Sequence, residues 1–140
     1  EMARIVRRVQ GLPLMSMPAP WGVVADASNV FPVGANEPRY LELARRMEAP
    51  GGSQQFGYTE TSQRKPGGLG VLVKAEQIKW LGEGLGKSSQ KAVHLTGRGM
   101  QHFRILTMKA EETTGLYTAN VQLLEERDVA RLRTHREHRG

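Results

Sequence analysis

Residues 82–88, Gly-Glu-Gly-Leu-Gly-Lys-Ser, contain the residue types of a phosphate-binding loop. In such a loop, backbone N–H groups and a lysine hold the phosphate oxygens, and four residues separate the first Gly from the Gly-Lys pair. Leu81 stands where that first Gly is needed, and residues 92–96 are typical of a strand. The helix whose N-terminus would face the anion is therefore missing. A hairpin turn is the preferred interpretation, and no cofactor is predicted.

The remaining candidates for metal or proton chemistry are four histidines: His94, His102, His135 and His138. A pair spaced three residues apart, His135 and His138, would share one face of a helix, but a zinc site needs two further ligands and the chain has no Cys. Ser88 or Ser89 would form an activated pair with Lys91 only if the lysine were desolvated, which a Gly-rich surface turn does not provide. No carboxylate pair has a spacing that indicates acid–base chemistry. We therefore predict no catalytic residue, no metal site and no enzyme activity.

Two kinds of side chain could instead contact a partner. Trp21 and Trp80, the two tryptophans, could offer an apolar contact to a protein, and a place in the core or at its rim is an equally good interpretation. An Arg-rich C-terminal stretch could follow an RNA phosphate backbone, and the alternative for it is a solvated helix. Its candidate contacts are Arg127, Arg131, Arg133 and Arg136.

The formal net charge of +6 over 140 residues is compatible with a nucleic-acid or ribonucleoprotein setting. The aromatic content of 6% gives no sign of a stacking platform, so a basic domain with solvated ends is an equal alternative. No apolar run approaches the roughly 18 residues of a membrane span. The absence of Cys fits a reducing compartment, and Glu1 in place of Met is compatible with removal of a transit peptide.

The elements that would position these residues are organised around residues 30–47. An extended run at residues 30–33 turns at Gly34, and Asn36 is expected to cap a helix that has Pro38 in its first turn. An apolar stripe then recurs at i, i+3, i+4 and i+7, which predicts one amphipathic helix: Tyr40, Leu43, Ala44 and Met47.

Around this helix the sequence predicts six or seven short strands. Pro13 and Pro18 predict an edge strand at residues 12–18. A strand at residues 69–75 is expected to continue through Trp80, and Gly97 and Gly99 are expected to end the strand at 92–96. Further strands are predicted at residues 55–59, 103–108 and 117–123. This spacing favours an antiparallel barrel or sandwich of residues 1–124, followed by a basic helical tail at 125–140.

The order of several short motifs resembles the Lon N-terminal, or Lon substrate-binding, domain family. The motifs are Leu12-Pro13-Leu14, Phe31-Pro32-Val33, Glu37-Pro38-Arg39-Tyr40, Phe56-Gly57-Tyr58, Leu69-Gly70-Val71-Leu72-Val73, Gly97 with Phe103-Arg104-Ile105-Leu106, and the closing strand from Tyr117. Asp26-Ala27-Ser28 departs from the usual Phe-Pro-Gly. The resemblance does not extend to the helical bundle, ATPase or protease domains of bacterial Lon.

The resemblance implies a mainly β, PUA-like antiparallel pseudobarrel with one inserted helix. It also implies that Glu37, Pro38, Arg39 and Tyr40 form a structural corner. The function it implies is a non-catalytic protein-binding module that recognises peptide segments or docks partner proteins. The alternative, drawn from the basic ends, is a structural subunit of an organellar ribonucleoprotein or another large complex that contacts RNA. An organellar location, mitochondrial or plastid, is expected, with the cytoplasm as the other option.

Overall fold

The computed structural model describes residues 7–17, 30–81 and 92–125. Within them lie six strands, one α-helix and one 3₁₀ turn: β1 (Arg8–Met17), β2 (Val30–Ala35), α1 (Pro38–Glu48), β3 (Gln55–Glu60), the 3₁₀ turn (Thr61–Gln63), β4 (Leu69–Leu81), β5 (Ala92–Ala110) and β6 (Tyr117–Leu123). The predicted mainly β class with one inserted helix is confirmed. Residues 126–140, which hold nearly all of the predicted tail, lie outside the described residues.

Five of the strands close into a ring in which β1 pairs with β3, β3 with β4, β4 with β5, β5 with β6, and β6 with β1. The sixth strand, β2, pairs with β5 alone among the described strands. This ring confirms the predicted pseudobarrel. One pairing departs from the antiparallel description, since β1 and β3 run parallel. The intervening β2 and α1 supply the crossover that a parallel pair requires.

The predicted break at Gly97 and Gly99 is wrong, because β5 runs for 19 residues without interruption. Its first part pairs with β2 up to Arg98, and its second part pairs with β6 from Phe103. Strand β4 pairs with β5 along both parts, with a bulge that leaves Met100 between the paired positions. Glycine weakens an isolated strand, but β5 has hydrogen-bonded strands on both sides, which keep it extended. The effect of Gly97 and Gly99 on the local structure is limited to the bulge at Met100.

The prediction that β1 is an edge strand is also wrong. Residues 8–13 of β1 pair with β6, and Leu14–Met17 pair with β3. Pro13 stands where β1 exchanges one partner for the other, so the missing N–H falls at the end of a ladder. Pro13 does interrupt strand pairing, as its missing N–H predicts, but the interruption is the point at which β1 changes its partner from β6 to β3.

The interior of the ring holds an apolar cluster from four strands: Leu12, Leu14, Leu72, Phe103, Ile105, Ala119 and Val121. Phe103 is fully buried there and fits because two facing positions are glycines. A Cβ at Gly57 would lie 2.9 Å from Phe103 Cζ, and one at Gly70 would lie 2.5 Å from the same atom. The glycines of the Phe-Gly and Leu-Gly motifs therefore leave room for the Phe103 ring, and Gly57 also leaves room for Leu14, whose Cδ2 would lie 2.7 Å from its Cβ.

A second apolar cluster lies on the outer face of the sheet, beneath α1. The predicted helical stripe of Tyr40, Leu43, Ala44 and Met47 is buried in it, together with Leu41. Strand residues below it include Met15, Val33, Phe56, Val73 and Leu95. Because the helix covers the sheet in this way, its position is set by packing of one apolar face.

Candidate protein-contact site

The start of α1 brings the predicted corner together. Glu37, not Asn36, is the N-cap residue, and its side chain makes no capping hydrogen bond. Its carbonyl instead accepts from the N–H groups of Tyr40 (2.9 Å) and Leu41 (3.1 Å). Pro38 occupies the first turn, where its missing donor leaves no carbonyl unpaired. The expected Asn36 cap is therefore wrong, because the chain enters the helix one residue later.

The side chains of this corner are held by ionic and aromatic contacts. Arg39 Nε donates to Glu37 Oε2 at 2.8 Å, and the Arg39 guanidinium lies 4.8 Å from the centre of the Tyr40 ring. The Tyr40 hydroxyl accepts from the N–H of Ser16 at 3.0 Å and donates to the Ser16 carbonyl at 2.9 Å. Ser16 Oγ in turn bonds to Thr59 Oγ1 at 2.9 Å. The corner thus links α1 to β1 and, through β1, to β3.

Trp80 lies at the rim of the outer cluster, half-buried beside Ile78. Its indole Nε1 donates to Glu48 Oε1 at 2.6 Å, and the Arg45 guanidinium lies 5.7 Å from its ring centre. Two residues of the last turn of α1 therefore orient the indole. Of the two interpretations for this tryptophan, exposed contact or rim of the core, the structure shows the rim.

A cleft of about 430 Å³ opens beside this rim, between the end of α1 and β4. Its walls include Glu48 and Ala49 from the helix end, Gln54 from the following loop, and Glu76 and Ile78 from β4. The loop closes tightly: a Cβ at Gly52 would lie 2.3 Å from the Arg46 carbonyl oxygen. The turn after the helix, at residues 49–54, therefore forms one wall of the cleft.

The β4 wall of this cleft is a strand edge. Strand β3 pairs with β4 only as far as Lys74, and the Ala75 N–H makes the last contact on that side, to the Gln54 carbonyl at 2.7 Å. Beyond Ala75, no strand within the described ranges flanks that side of β4, while β5 continues on the other side to Leu81. A strand edge of this kind offers backbone donors and acceptors to an extended polypeptide.

An ion-pair network supports the opposite side of α1. Arg46 donates to both carboxylate oxygens of Glu111 and, from Nε, to Glu42 Oε2 at 2.9 Å. The Arg46 hydrogen bond lowers the pKa of Glu111, and Thr114 Oγ1 adds a further donor at 3.0 Å. The Glu42 partner is four residues before Arg46 on the helix, a spacing that the sequence shows directly, whereas Glu111 is 65 residues away along the chain.

A second cleft, of about 440 Å³, surrounds a bulge in β1. Gly11 has a φ of +64° there, and its N–H donates to Asn120 Oδ1 at 3.0 Å. Asn120 Nδ2 donates to Thr107 Oγ1 at the same distance. The Asn120 amide thus links the β1 bulge to Thr107 of β5. None of the sequence-predicted contacts lies in this cleft.

Several predicted residues lie outside the described part of the chain: Trp21, Arg127, Arg131, Arg133, Arg136 and the Gly-rich loop at 82–88. Within the described residues, no group of three or more His, Asp or Glu side chains could hold a metal ion. No helix in that part of the chain is long and apolar enough to cross a membrane.

A closed ring of mixed strands with one helix packed on its outer face defines a PUA-like pseudobarrel. No protein-family model matches the sequence, and no curated protein matches it.

Among solved structures, a Lon N-terminal domain protein from Xanthomonas campestris matches with a TM-score of 0.61 and 23% identity, over 84% of this chain and 61% of that one. The N-terminal domain of Lon protease from the Mycobacterium avium complex matches with a TM-score of 0.51 and 14% identity, over 85% and 56%. This chain thus spans less than two thirds of either structure. The likeness establishes the fold, a Lon N-terminal type of pseudobarrel, as the sequence motifs predicted.

Proposed function

We propose that this protein is a non-catalytic protein-binding module of the Lon substrate-binding type, which recognises extended peptide segments or docks partner proteins. Its fold, shared with two Lon N-terminal domains, supports this class. The site we assign to it is the Trp80 groove, defined by Trp80, Ile78 and the cleft between the end of α1 and β4.

The observation that carries the proposal is the edge of β4 beyond Ala75, which lies beside half-buried apolar side chains. An extended peptide added to this edge would form backbone hydrogen bonds along β4. Alternate side chains of such a peptide would point towards Ile78 and Trp80, since side chains on a strand alternate between its two faces. Backbone bonds would supply affinity for many sequences, and the apolar rim would favour segments with exposed hydrophobic residues.

The test is binding of a permanently unfolded protein, reduced and carboxymethylated lactalbumin, measured by fluorescence anisotropy. Trp80→Ala is expected to weaken binding at least about tenfold, since a well-packed aromatic anchor in an interface carries about 2 kcal/mol or more. The matched control is Tyr117→Ala. Tyr117 is also half-buried, and the Arg64 guanidinium covers its ring at 4.3 Å, but it lies away from the groove.

Trp80→Ala also removes packing from the outer cluster, so a second variant tests the groove directly. Ala49→Trp places a large side chain at the exposed mouth of the cleft without altering either core. We expect it to reduce binding with an unchanged melting temperature. Equal binding by wild type, Trp80→Ala and Ala49→Trp would show that the groove is not the site.

The alternative function, a structural subunit of an organellar ribonucleoprotein, stays a prediction from the basic ends of the sequence. Its test is the salt dependence of RNA binding. Affinity should fall steeply with salt, and neutralising Arg131, Arg133 and Arg136 should flatten the slope. The organellar location is likewise a proposal, which imaging of the tagged full-length protein would decide.

A further inference from the structure

Strands β2, β5 and β4 extend beyond the closed ring, and one face of this extension is polar. We call it the flap face, and it comprises Lys74, Gln77 and Lys79 of β4, His94, Thr96 and Arg98 of β5, and Pro32 and Gly34 of β2. Alternate residues of β5, Val93 and Leu95, are buried beneath α1 on the other face. The flap face is therefore on the opposite side of the sheet from Ile78 and Trp80, and the two surfaces meet at the β4 edge, where Gln77 also lines the cleft.

The flap face carries two rows of basic side chains. The strand register places Lys74 directly opposite Arg98 and Lys79 directly opposite His94. Lys74 and Lys79 are exposed, and neither forms an ion pair with a residue in the described ranges. Arg98 pairs with Glu76, which lies in the bulge between the two rows. The Glu76 carboxylate offsets part of the positive charge of the Lys74–Arg98 row. Lys79 has no carboxylate partner among the described residues, so the face keeps a basic excess.

Strand β2 presents little bulk on this face. His94 lies opposite Gly34, and a Cβ at Gly34 would stand 3.2 Å from its Nε2. The neighbouring residue on the face, Pro32, is exposed. Beside Thr96 and His94, β2 thus offers a proline ring and glycine backbone, and Val30 is the β2 residue opposite Arg98.

We infer that the flap face docks an acidic, extended segment of a partner polypeptide. Arg98 and His94 are four residues apart on β5, so the two basic rows are separated by about 13 Å. An extended peptide presents the carboxylates of residues i and i+4 on one side at the same separation. Charge and spacing therefore both match such a segment.

A polypeptide fits this face better than a single-stranded nucleic acid does. Recognition of unpaired bases relies on aromatic side chains on which they stack. No aromatic side chain that the structure describes lies on the flap face: Tyr40, Tyr58, Phe56 and Phe103 are buried, and Trp80 points to the opposite face. The choice of a polypeptide partner rests on the proposed function, whereas the location and the charge preference rest on the flap face itself.

The experiment measures the fluorescence anisotropy of a fluorescein-labelled short peptide with Glu at every second position, in low salt. Its counterpart has Gln at the same positions. We expect the Glu peptide to bind and the Gln peptide to bind far more weakly. The double variant Lys74→Gln/Lys79→Gln should weaken binding about tenfold, since it removes two exposed charge pairs. The matched control, Lys65→Gln/Lys109→Gln, changes two exposed lysines that lie off the flap face and should bind like wild type.

Absence of Glu-peptide binding to the wild-type protein would overturn the inference, as would an equal loss in the two double variants. A labelled single-stranded RNA that binds through Lys74 and Lys79 when the Glu peptide does not would assign the face to nucleic acid instead. The lactalbumin assay separates this result from the proposed function. If that binding depends on Trp80 but not on Lys74 or Lys79, failure of the Glu peptide would reject only the flap-face inference.

Discussion

The hydroxyl of Tyr40 donates a hydrogen bond to the carbonyl of Ser16 and accepts one from the N–H of the same residue. Strand β6 covers β1 only as far as Pro13, so the edge of β1 at Ser16 lies beyond the end of that ladder. One phenol hydroxyl thus satisfies both backbone groups of a buried strand residue, in the place where a neighbouring strand would have done so.

Replacing Tyr40 with Phe should therefore lower the free energy of unfolding by about 2 kcal/mol, because the Ser16 N–H and carbonyl would both stay buried without their partner. Urea denaturation followed by circular dichroism would measure the change. The matched control is Tyr117→Phe, in which a half-buried ring loses a hydroxyl that has no such bond to a described residue, and a change within about 0.5 kcal/mol is expected. Similar losses in both variants would contradict the role assigned to Tyr40.

Adding a methyl group at Gly70 should destabilise the ring interior by about 1–3 kcal/mol through overpacking. The new Cβ would stand 2.5 Å from Phe103 Cζ and 2.6 Å from the Tyr58 carbonyl oxygen. A double-mutant cycle with Phe103→Leu tests the cause. Because the smaller side chain relieves the clash, the two losses should sum to more than the loss in the double variant. Strict additivity would show that Phe103 is not the residue the glycine accommodates.

The Arg46–Glu111 pair predicts a pH dependence of stability. Arg46 lowers the pKa of Glu111 from its ordinary value of 4.5. The pair's contribution is therefore fully present above that ordinary value and is lost as the pH falls through the lower folded-state pKa. Glu111→Gln should cost up to about 1 kcal/mol at neutral pH, as expected for a partly exposed pair.

Urea denaturation from neutral pH down to the acid range would check this prediction. The difference between wild type and Glu111→Gln should shrink as the solution becomes acidic. Glu112→Gln is the control, since Glu112 is the exposed neighbour and has no ion pair with a described residue. A constant difference across the pH range would show that Glu111 acts through packing instead of charge.

The Glu48–Trp80 hydrogen bond predicts a local effect on the indole. Glu48→Ala should change overall stability by less than about 0.5 kcal/mol, because the Glu48 side chain is exposed and the substitution leaves the packing of Trp80 in the outer cluster in place. It should nevertheless increase acrylamide quenching of Trp80 fluorescence, since the ring loses the acceptor that orients it. The measurement belongs in a Trp21→Phe background, so that one tryptophan reports. Glu112→Ala, which removes an exposed carboxylate that has no ion pair with a described residue, is the control, and equal quenching in both variants would refute the prediction.

Sequence reasoning identified the elements that depend on local pattern. The periodic stripe from Tyr40 to Met47 predicted α1, and alternation of apolar and polar residues predicted β4 through Trp80 and β6. The order of the short motifs predicted the pseudobarrel and its structural similarity to Lon N-terminal domains. These features were readable because burial of one face imposes a period on the sequence itself.

The failures were of a different kind. Gly97 and Gly99 suggested a break and Pro13 an edge, because glycine and proline weaken strands when considered alone. In the fold, β5 is held between neighbours on both sides, and Pro13 falls where β1 changes partner. Trp80 was named from the sequence as a candidate contact, and that role stays a prediction. The cleft beside it depends on the end of α1 meeting β4, which no local pattern encodes.

The sequence by itself determined which residues are apolar and at what spacing, and therefore the helix, most strands and the class of fold. Only the tertiary structure decided that the Tyr40 hydroxyl would bond to the backbone of β1. It also decided that Gly57 and Gly70 would face Phe103, and that Arg46 would pair with Glu111. The physical reason is that these relationships join residues far apart in the chain. Their energies arise only after the ring has closed and brought the partners into contact.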